Sequence, residues 1–86
     1  MNLQVQKKDG SLEPFDRNKI SAGLLKSGAS AAEAESITVQ VESWAQGAAQ
    51  NGIIHSLEIR NKVLELLRGV NPTAAAAFES YQKPQV

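Results

Sequence analysis

The segment KKDGSLEPFDRNKI, Lys7–Ile20, contains a tight turn followed closely by the start of a helix, and this order decides the fold. Asp9-Gly10 is typical of a two-residue β-hairpin turn, because both residues tolerate a positive φ. Upstream of the turn, Leu3 and Val5 alternate with glutamines, which is the pattern of a strand with one buried face. The sequence therefore predicts an N-terminal hairpin.

The returning strand of this hairpin should lead directly into a helix. We expect that strand over about residues 11–15, and Asp16 then stands where a helix N-cap is needed. Ile20 and Leu24 are four residues apart and so share one face of a helix, which should end near Gly28. The hairpin and the first helix are thus expected to be continuous.

A long second helix and a short third strand are predicted next. Ser30 with Glu33 three residues later has the spacing of a capping box, and Asn51-Gly52 is expected to stop the helix. Between them, apolar residues recur at helical spacing: Ala34, Ile37, Val41, Trp44 and Ala48. The stretch GIIH, residues 52–55, fits either a strand beside the hairpin or a connector, and its two β-branched residues favour the strand.

Two more helices are predicted in the last third of the chain. Ser56 can cap the first of them, and Gly69 should break it near its end. Its apolar stripe consists of Ile59, Val63, Leu66, Leu67 and Val70. Asn71-Pro72 is an N-cap followed by a proline at the first helical position, and TAAAAFESY then continues as the last helix. The predicted class is therefore α+β, with four helices and three short strands.

Length and composition narrow the functions that this chain can have. Its 86 residues suffice for one small domain, which we expect over residues 1–83, with 84–86 as a frayed tail or the start of a linker. Nine Lys and Arg balance nine Asp and Glu, so no net charge attracts the chain to DNA or to an anionic membrane. No cysteine is present, which argues against a disulfide framework and a thiolate metal site. Since no long apolar segment or export signal is visible, we expect a cytoplasmic protein with no membrane partner. We expect it to be non-catalytic, because it has no cysteine nucleophile and its one histidine does not suffice for a Ser-His-acid order or a metal cluster.

The first turn of the predicted first helix carries two cations, Arg17 and Lys19, at the end where the helix dipole disfavours positive charge. Lys7 and Lys8 arrive on the neighbouring strand, although strand alternation should place them on opposite faces. Together with free N–H groups of the helix start, such side chains could hold a polyphosphate. Solvated charges around a hairpin would give the same pattern, and neither Gly-rich phosphate-loop motif is present. The residue chemistry alone leaves both interpretations open.

The order V-x-K-K-D-G-x-x-E-P-F-D-x-x-K-I, as it stands over residues 5–20, resembles the opening of the ATP-cone domain. The resemblance extends through IIHSLEIRNKVLELL, which is similar to the second block of that family, to the terminal SYQK. The family is a regulatory nucleotide-binding module of ribonucleotide reductase large subunits and of a bacterial repressor of the reductase genes. The resemblance implies a four-helix bundle capped by a three-stranded mixed sheet that includes the hairpin. It also implies ATP or dATP as the ligand, with Mg²⁺ accompanying the phosphates.

The resemblance further implies which residues contact the nucleotide. The phosphate contacts are matched by Lys7, Lys8 and Lys19, and more loosely by Lys83. The positions around the adenine and the ribose are matched by Val5, Glu13, Asp16 and Ile20. Polar contacts of the second block are matched by Ser56 and Arg60. Two positions depart from the pattern, because Lys8 stands where many members have arginine and Arg60 replaces a smaller polar residue of some relatives.

Three functional hypotheses follow. By the resemblance, the chain senses ATP or dATP and biases subunit association, or the activity of a fused or partner protein, with a second copy, a reductase or a regulator as partner. Alternatively, it is a degenerate cone that has lost the nucleotide and serves as an oligomerisation module. The third hypothesis is a small nucleic-acid-binding domain, against which the neutral charge argues. Trp44 is expected to pack in the core rather than stack on a base, so no direct nucleic-acid partner is expected.

Overall fold

The computed structural model describes residues 3–81, which form three strands and four helices. The strands are β1 Gln4–Gln6, β2 Leu12–Pro14 and β3 Ile53–His55. The helices are α1 Arg17–Lys26, α2 Ala31–Ala48, α3 Ser56–Val70 and α4 Pro72–Tyr81. The predicted α+β class and the N-terminal hairpin are confirmed. The expected contact of Lys83 and the tail at 84–86 lie outside the described residues.

The strands form one mixed sheet in the order β2-β1-β3, with β1 antiparallel to β2 and parallel to β3. Val5 lies opposite Glu13 on one side and opposite Ile54 on the other. Residues that lie opposite one another share a face of the sheet, and here Val5 and Ile54 are buried against the helices. The same row therefore brings the carboxylate of Glu13, which is only half-buried, to the β2 edge of the inner face.

The hairpin turn differs from the prediction, because its loop has three residues, Lys8-Asp9-Gly10. The carbonyl of Lys7 accepts from the Gly10 N–H at 2.9 Å, and the Lys7 N–H donates to the Ser11 carbonyl at 2.9 Å. Gly10 supplies the positive φ of the loop, 89°, and Asp9 does not share it. Instead, Asp9 Oδ1 accepts from the Ser11 N–H at 2.9 Å, which fixes a turn that leaves the left-handed position to glycine. The predicted two-residue turn at Asp9-Gly10 is therefore wrong.

A two-residue turn with two positive φ angles occurs instead at Asn51-Gly52, where φ is 56° and 77°. The flanking Gln50 and Ile53 exchange backbone hydrogen bonds of 2.9 and 3.0 Å. Helix α2 already ends at Ala48. The Asn51-Gly52 turn thus starts β3 rather than stopping the helix, because this pairing aligns the chain with the sheet.

Three of the expected helix caps are formed. The Asp16 carboxylate accepts from the α1 backbone at 2.9 Å, and Ser30 and Glu33 make a reciprocal capping box at α2. Asn71 Oδ1 accepts from the N–H of Ala74 in the first turn of α4 at 3.0 Å. These bonds satisfy N–H groups that no intrahelical carbonyl can reach.

Helix α3 differs from the prediction at both ends. Ser56 is the first helical residue, and His55 takes the N-cap position without any side-chain cap hydrogen bond. The reason is that β3 runs into α3 with no intervening loop, so the cap position falls on the last residue of the strand. Gly69 lies inside the last turn of α3, which continues to Val70. The predicted cap at Ser56 and the predicted break at Gly69 are therefore wrong.

The core lies between the inner face of the sheet and the helices. Its largest fully buried side chains are Leu24, Ile37, Leu67, Val41 and Val63. Trp44 is partly buried against this core, and the ammonium group of Lys62 lies 5.8 Å from the centroid of its ring. The expected packing role of Trp44 is thus consistent with the fold. Among the described residues, no helix is long and apolar enough to cross a membrane.

Candidate functional site

Three adjoining depressions lie where the hairpin, the start of α1 and the start of α3 meet, and Ser56 lines all three. Their volumes are about 130, 290 and 430 Å³. Each of the site residues implied within the described range lines at least one of them: Val5, Lys7, Lys8, Glu13, Asp16, Lys19, Ile20, Ser56 and Arg60. These residues therefore share one continuous surface, while their contacts with a nucleotide stay predictions.

The depression of about 130 Å³, which we call the apolar depression, is bounded by both strands of the hairpin, α1 and α3. Its apolar lining is formed by Val5, Pro14, Phe15, Ile20 and Ile59. Two carboxylates, those of Glu13 and Asp16, line it as well. One oxygen of Asp16 already accepts the capping bond of α1, which leaves its other oxygen for a further donor. The apolar depression can thus hold a flat apolar group that carries a hydrogen-bond donor.

The carboxylate of Glu13 lies between two lysines from different elements. Its Oε1 is 3.4 Å from the ammonium nitrogen of Lys19 on α1 and 3.9 Å from that of Lys7 at the end of β1. The Glu13 side chain is 31% exposed, against 69% for Lys19 and 52% for Lys7. One oxygen of the half-buried Glu13 therefore forms ion pairs with two mainly exposed ammonium groups.

Both cations in the first turn of α1 have a carboxylate from another element as partner. Lys19 pairs with Glu13 of β2, and Arg17 lies 3.5 Å from Glu42 of α2. The two pairs offset the unfavourable position of positive charge at a helix N-terminus. The charge pattern of α1 is thus stable without an external anion, although it does not exclude one.

The depression of about 430 Å³, which we call the basic depression, is lined by Lys7, Lys8, Gly10, His55 and Ser56, among others. It includes the start of α3, whose first N–H groups have no side-chain cap. Ser11 donates from its hydroxyl and its N–H to Asp9, which lowers the pKa of this carboxyl and keeps it negative beside the lysines. Glu58 also lines the basic depression and partly offsets its charge. A helix start and two lysines nevertheless favour the binding of an anion in this depression.

Strand alternation led us to expect that Lys7 and Lys8 point to opposite faces, and the structure differs. Both residues line the basic depression, because Lys8 belongs to the hairpin loop rather than to β1. In residues 3–81, Lys8 forms no ion pair, whereas Lys7 is paired with Glu13. An incoming anion can thus contact Lys8 without breaking an ion pair.

The depression of about 290 Å³, which we call the Arg60 depression, continues the surface along α3 towards α4. The guanidinium group of Arg60 makes a hydrogen bond of 3.5 Å to the carbonyl of Glu79, at the limit of such a bond. Its Nε is buried and has no partner within the described part of the chain. Among residues 3–81, the buried Nε of Arg60 is therefore left without a hydrogen bond.

Several lining residues were missed by the sequence reasoning. In the basic depression they are Gln6, Gly10, His55, Leu57 and Glu58. Gln6 lies opposite His55 in the parallel pairing of β1 with β3. Knowledge of the register between these strands would have predicted that the two residues are neighbours. Near α4, Phe78 lines the Arg60 depression from the core. Its position depends on helix packing, for which the sequence carried no specific signal.

Comparison with known proteins gives one family and a set of related repressors. The family model described as ATP cone domain matches residues 3–85. The relatives include transcriptional repressors NrdR of Syntrophus aciditrophicus (38% identical over 80 residues), Trichodesmium erythraeum (33% over 90 residues) and Dictyoglomus thermophilum (36% over 85 residues). The matches cover 88%, 99% and 94% of this chain, but 50%, 51% and 57% of the respective relative. The chain thus spans about half the length of these relatives.

These relatives correct one prediction. We expected no direct nucleic-acid partner because the net charge is zero. The relatives are transcriptional repressors, a class of protein that acts on DNA, so the expectation is wrong. Its physical argument failed because a balanced charge in one domain says nothing about the remaining half of a longer relative.

The family model, the mixed sheet with four helices and the hairpin motif agree with one another. Since the match extends over residues 3–85, it includes every element that the structure describes. The chain belongs to the ATP-cone domain family, whose members are nucleotide-binding regulatory modules and not enzymes.

Proposed function

We propose that this chain is a sensor of ATP or dATP that binds the nucleotide across the three depressions and uses the bound state to bias the association or activity of an attached or partner protein. The observation that carries the proposal is that nine residues from the hairpin, the start of α1 and the start of α3 share one continuous surface that includes Ser56. These residues combine lysines, carboxylates and apolar side chains, which are the groups that a nucleotide requires.

The phosphates are proposed to bind at the basic depression. Lys7 and Lys8 come from the hairpin and line this depression, and Lys19 of α1 adds a third ammonium group from the adjoining apolar depression. The uncapped start of α3 contributes N–H groups and the positive end of its dipole. Any Mg²⁺ would arrive with the phosphates. This arrangement differs from a Gly-rich phosphate loop, because the lysines rather than a backbone loop supply most of the positive charge.

The adenine and the ribose are proposed to occupy the apolar depression. Val5 and Ile20 offer apolar contact, and the Glu13 and Asp16 carboxylates can accept from an exocyclic amine or a hydroxyl group. Ser56 stands between the two ends of the ligand, and its hydroxyl is not used as a helix cap. Arg60 lines the adjoining Arg60 depression, from which the terminal nitrogens of its guanidinium group are proposed to contact a ligand oxygen.

The response is proposed to act on a repressor-type function, because the relatives bear that name and the chain corresponds to about half of each. For ATP and dATP to give different signals, they must differ in their affinity for two arrangements of the module. Equal binding to both arrangements would shift nothing. The alternative without nucleotide binding predicts an association that is indifferent to both nucleotides.

The test is calorimetric titration of the chain with ATP, dATP and GTP in the presence of Mg²⁺. We expect binding of the adenine nucleotides, and we expect Lys19→Ala to weaken it at least tenfold, about 1.4 kcal/mol. The matched control is Lys26→Ala, which removes the same charge at the other end of α1, about 10 Å away along the helix. Circular dichroism should be unchanged for both variants.

A thermal melt gives an independent check. At about a hundred times the dissociation constant, a ligand adds about 2.7 kcal/mol to the free energy of unfolding, which for a chain of this size raises the midpoint by about 10 °C or more. No shift with any nucleotide would contradict the proposal and favour the association module. Equal weakening by Lys19→Ala and Lys26→Ala would contradict the assignment of Lys19.

A further inference from the structure

The ion pairs of Glu13 have a consequence for any phosphate ligand, and this inference rests on the proposed nucleotide site. Lys7 lines the basic depression and Lys19 lines the apolar depression, and both are directed to the same oxygen of the Glu13 carboxylate, at 3.9 and 3.4 Å. A phosphate that recruits these lysines has to compete with that oxygen. Glu13 is part of the protein, and the pairing of β1 with β2 keeps it next to the two lysines.

The geometry makes Glu13 a stronger competitor than an average surface carboxylate. It is the least exposed member of the three, because β2 holds it opposite the buried Val5. Since the strand already fixes the backbone of Glu13, this residue loses little conformational entropy when it pairs with a lysine. Each exposed pair is worth only about 0.2–1 kcal/mol. A ligand that recruits both lysines therefore has to break two weak ion pairs, whereas a ligand that recruits one lysine breaks only one.

We propose that Glu13 is an internal competitor of the phosphate chain, which occupies Lys7 and Lys19 until a ligand with enough negative charge displaces it from both. Lys8 lies in the same basic depression without an ion pair in residues 3–81, so it can make the first contact with an incoming anion. A monophosphate that reaches one lysine leaves the other on Glu13 and gains little. A polyphosphate spans both lysines and frees the carboxylate to accept from another part of the ligand.

The experiment measures binding of inorganic tripolyphosphate and of orthophosphate to the wild-type chain and to Glu13→Gln. Tripolyphosphate is the probe because it carries no base, and so it does not sense the separate contact proposed between Glu13 and the adenine. We expect Glu13→Gln to raise the affinity for tripolyphosphate about fivefold. The preference for tripolyphosphate over orthophosphate should become larger, because tripolyphosphate has to break both ion pairs in the wild type and orthophosphate breaks at most one.

The chain offers a matched control in Glu42→Gln. This change removes the same unit charge and breaks the 3.5 Å ion pair with Arg17, which lies in the same helix turn as Lys19. Neither residue of that pair lines one of the three depressions. Glu42→Gln should therefore leave tripolyphosphate affinity within about twofold of the wild type, the residual being long-range charge.

A double-mutant cycle adds a second readout. Lys19→Ala should cost more affinity in the Glu13→Gln background than in the wild type, because there the lysine no longer gives up a partner when it binds phosphate. Adenosine, which has no phosphate, should not gain affinity from Glu13→Gln.

The outcomes separate this inference from the proposed function. If the wild-type chain binds ATP but Glu13→Gln gives no gain for tripolyphosphate, or no more gain than Glu42→Gln, internal competition is refuted and the nucleotide site stands. If the wild-type chain binds neither ATP nor tripolyphosphate, both are refuted.

Discussion

Replacement of Asn71 by alanine should destabilise the fold through two hydrogen bonds that meet at this residue. Its Oδ1 accepts from the Ala74 N–H at 3.0 Å and so caps α4, while its Nδ2 donates to Glu33 Oε1 at 3.2 Å and so ties α4 to the capping box of α2. Loss of an N-cap costs about 1 kcal/mol, and the tie to α2 is lost in addition. For a domain of this size, 1 kcal/mol lowers the melting midpoint by about 4–8 °C.

The assay is a melt of the wild type, Asn71→Ala and Asn71→Ser, followed by circular dichroism. Serine can still cap α4 but has no amide to reach Glu33, so its midpoint should lie between the other two. Asn61→Ala is the control, because Asn61 is exposed within α3 and alanine there favours the helix. An unchanged midpoint for Asn71→Ala, or equal midpoints for the alanine and serine variants, would refute the reasoning.

Three further predictions concern the site, the pH dependence and the helices. Lys8→Arg should tighten ATP binding about threefold in a calorimetric titration, because the guanidinium group can bind a phosphate with two parallel hydrogen bonds. Hydrogen bonds from the backbone of Ser30 and the amide of Asn71 lower the pKa of Glu33. This carboxylate therefore stabilises the fold at pH values above the ordinary glutamate pKa of about 4.3. The contribution is lost as the pH falls through the lower pKa of the folded state. A chemical denaturation series should show this acid-side loss in the wild type and a smaller one in Glu33→Gln. Gly47→Ala and Gly69→Ala should each raise the free energy of unfolding by about 0.5–1 kcal/mol, since an added Cβ meets no atom within 4 Å in either helix; equal or lower midpoints in a urea titration would contradict this.

Local signals were sufficient to predict the elements of the fold. The caps at Asp16, Ser30 and Asn71 and the apolar periodicity each depend on residues within one turn of helix, and such signals are readable from the chain alone. The turns were less readable, because the side chain of Asp9 decided between a two- and a three-residue loop. The cap of α3 could not be predicted from Ser56, because its position depends on where β3 ends.

The sequence indicated three lysines of the candidate site but not the ion pairs that they form. The order of residues in the hairpin motif indicated Lys7, Lys8 and Lys19, and the structure brings all three to the surface around Ser56. The sequence could not show that Glu13 holds two of them, because their distances depend on how α1 crosses the hairpin. Strand alternation was misleading for Lys8, since it applies only as far as the strand extends.

The site residues come from several elements, so binding of a nucleotide can change how these elements are arranged. The hairpin supplies Lys7 and Lys8, α1 supplies Lys19, and α3 supplies Ser56 and Arg60. A ligand that contacts all three elements binds only when they are assembled, so its binding energy adds to the stability of their arrangement. ATP and dATP differ by one hydroxyl group, and this difference can alter the arrangement only if the hydroxyl contacts one element more favourably in one state than in another. Suppose that ATP and dATP raise the free energy of unfolding equally but change the association of the chain differently. The 2′-hydroxyl would then act on the position of α3 or α1 rather than on affinity alone.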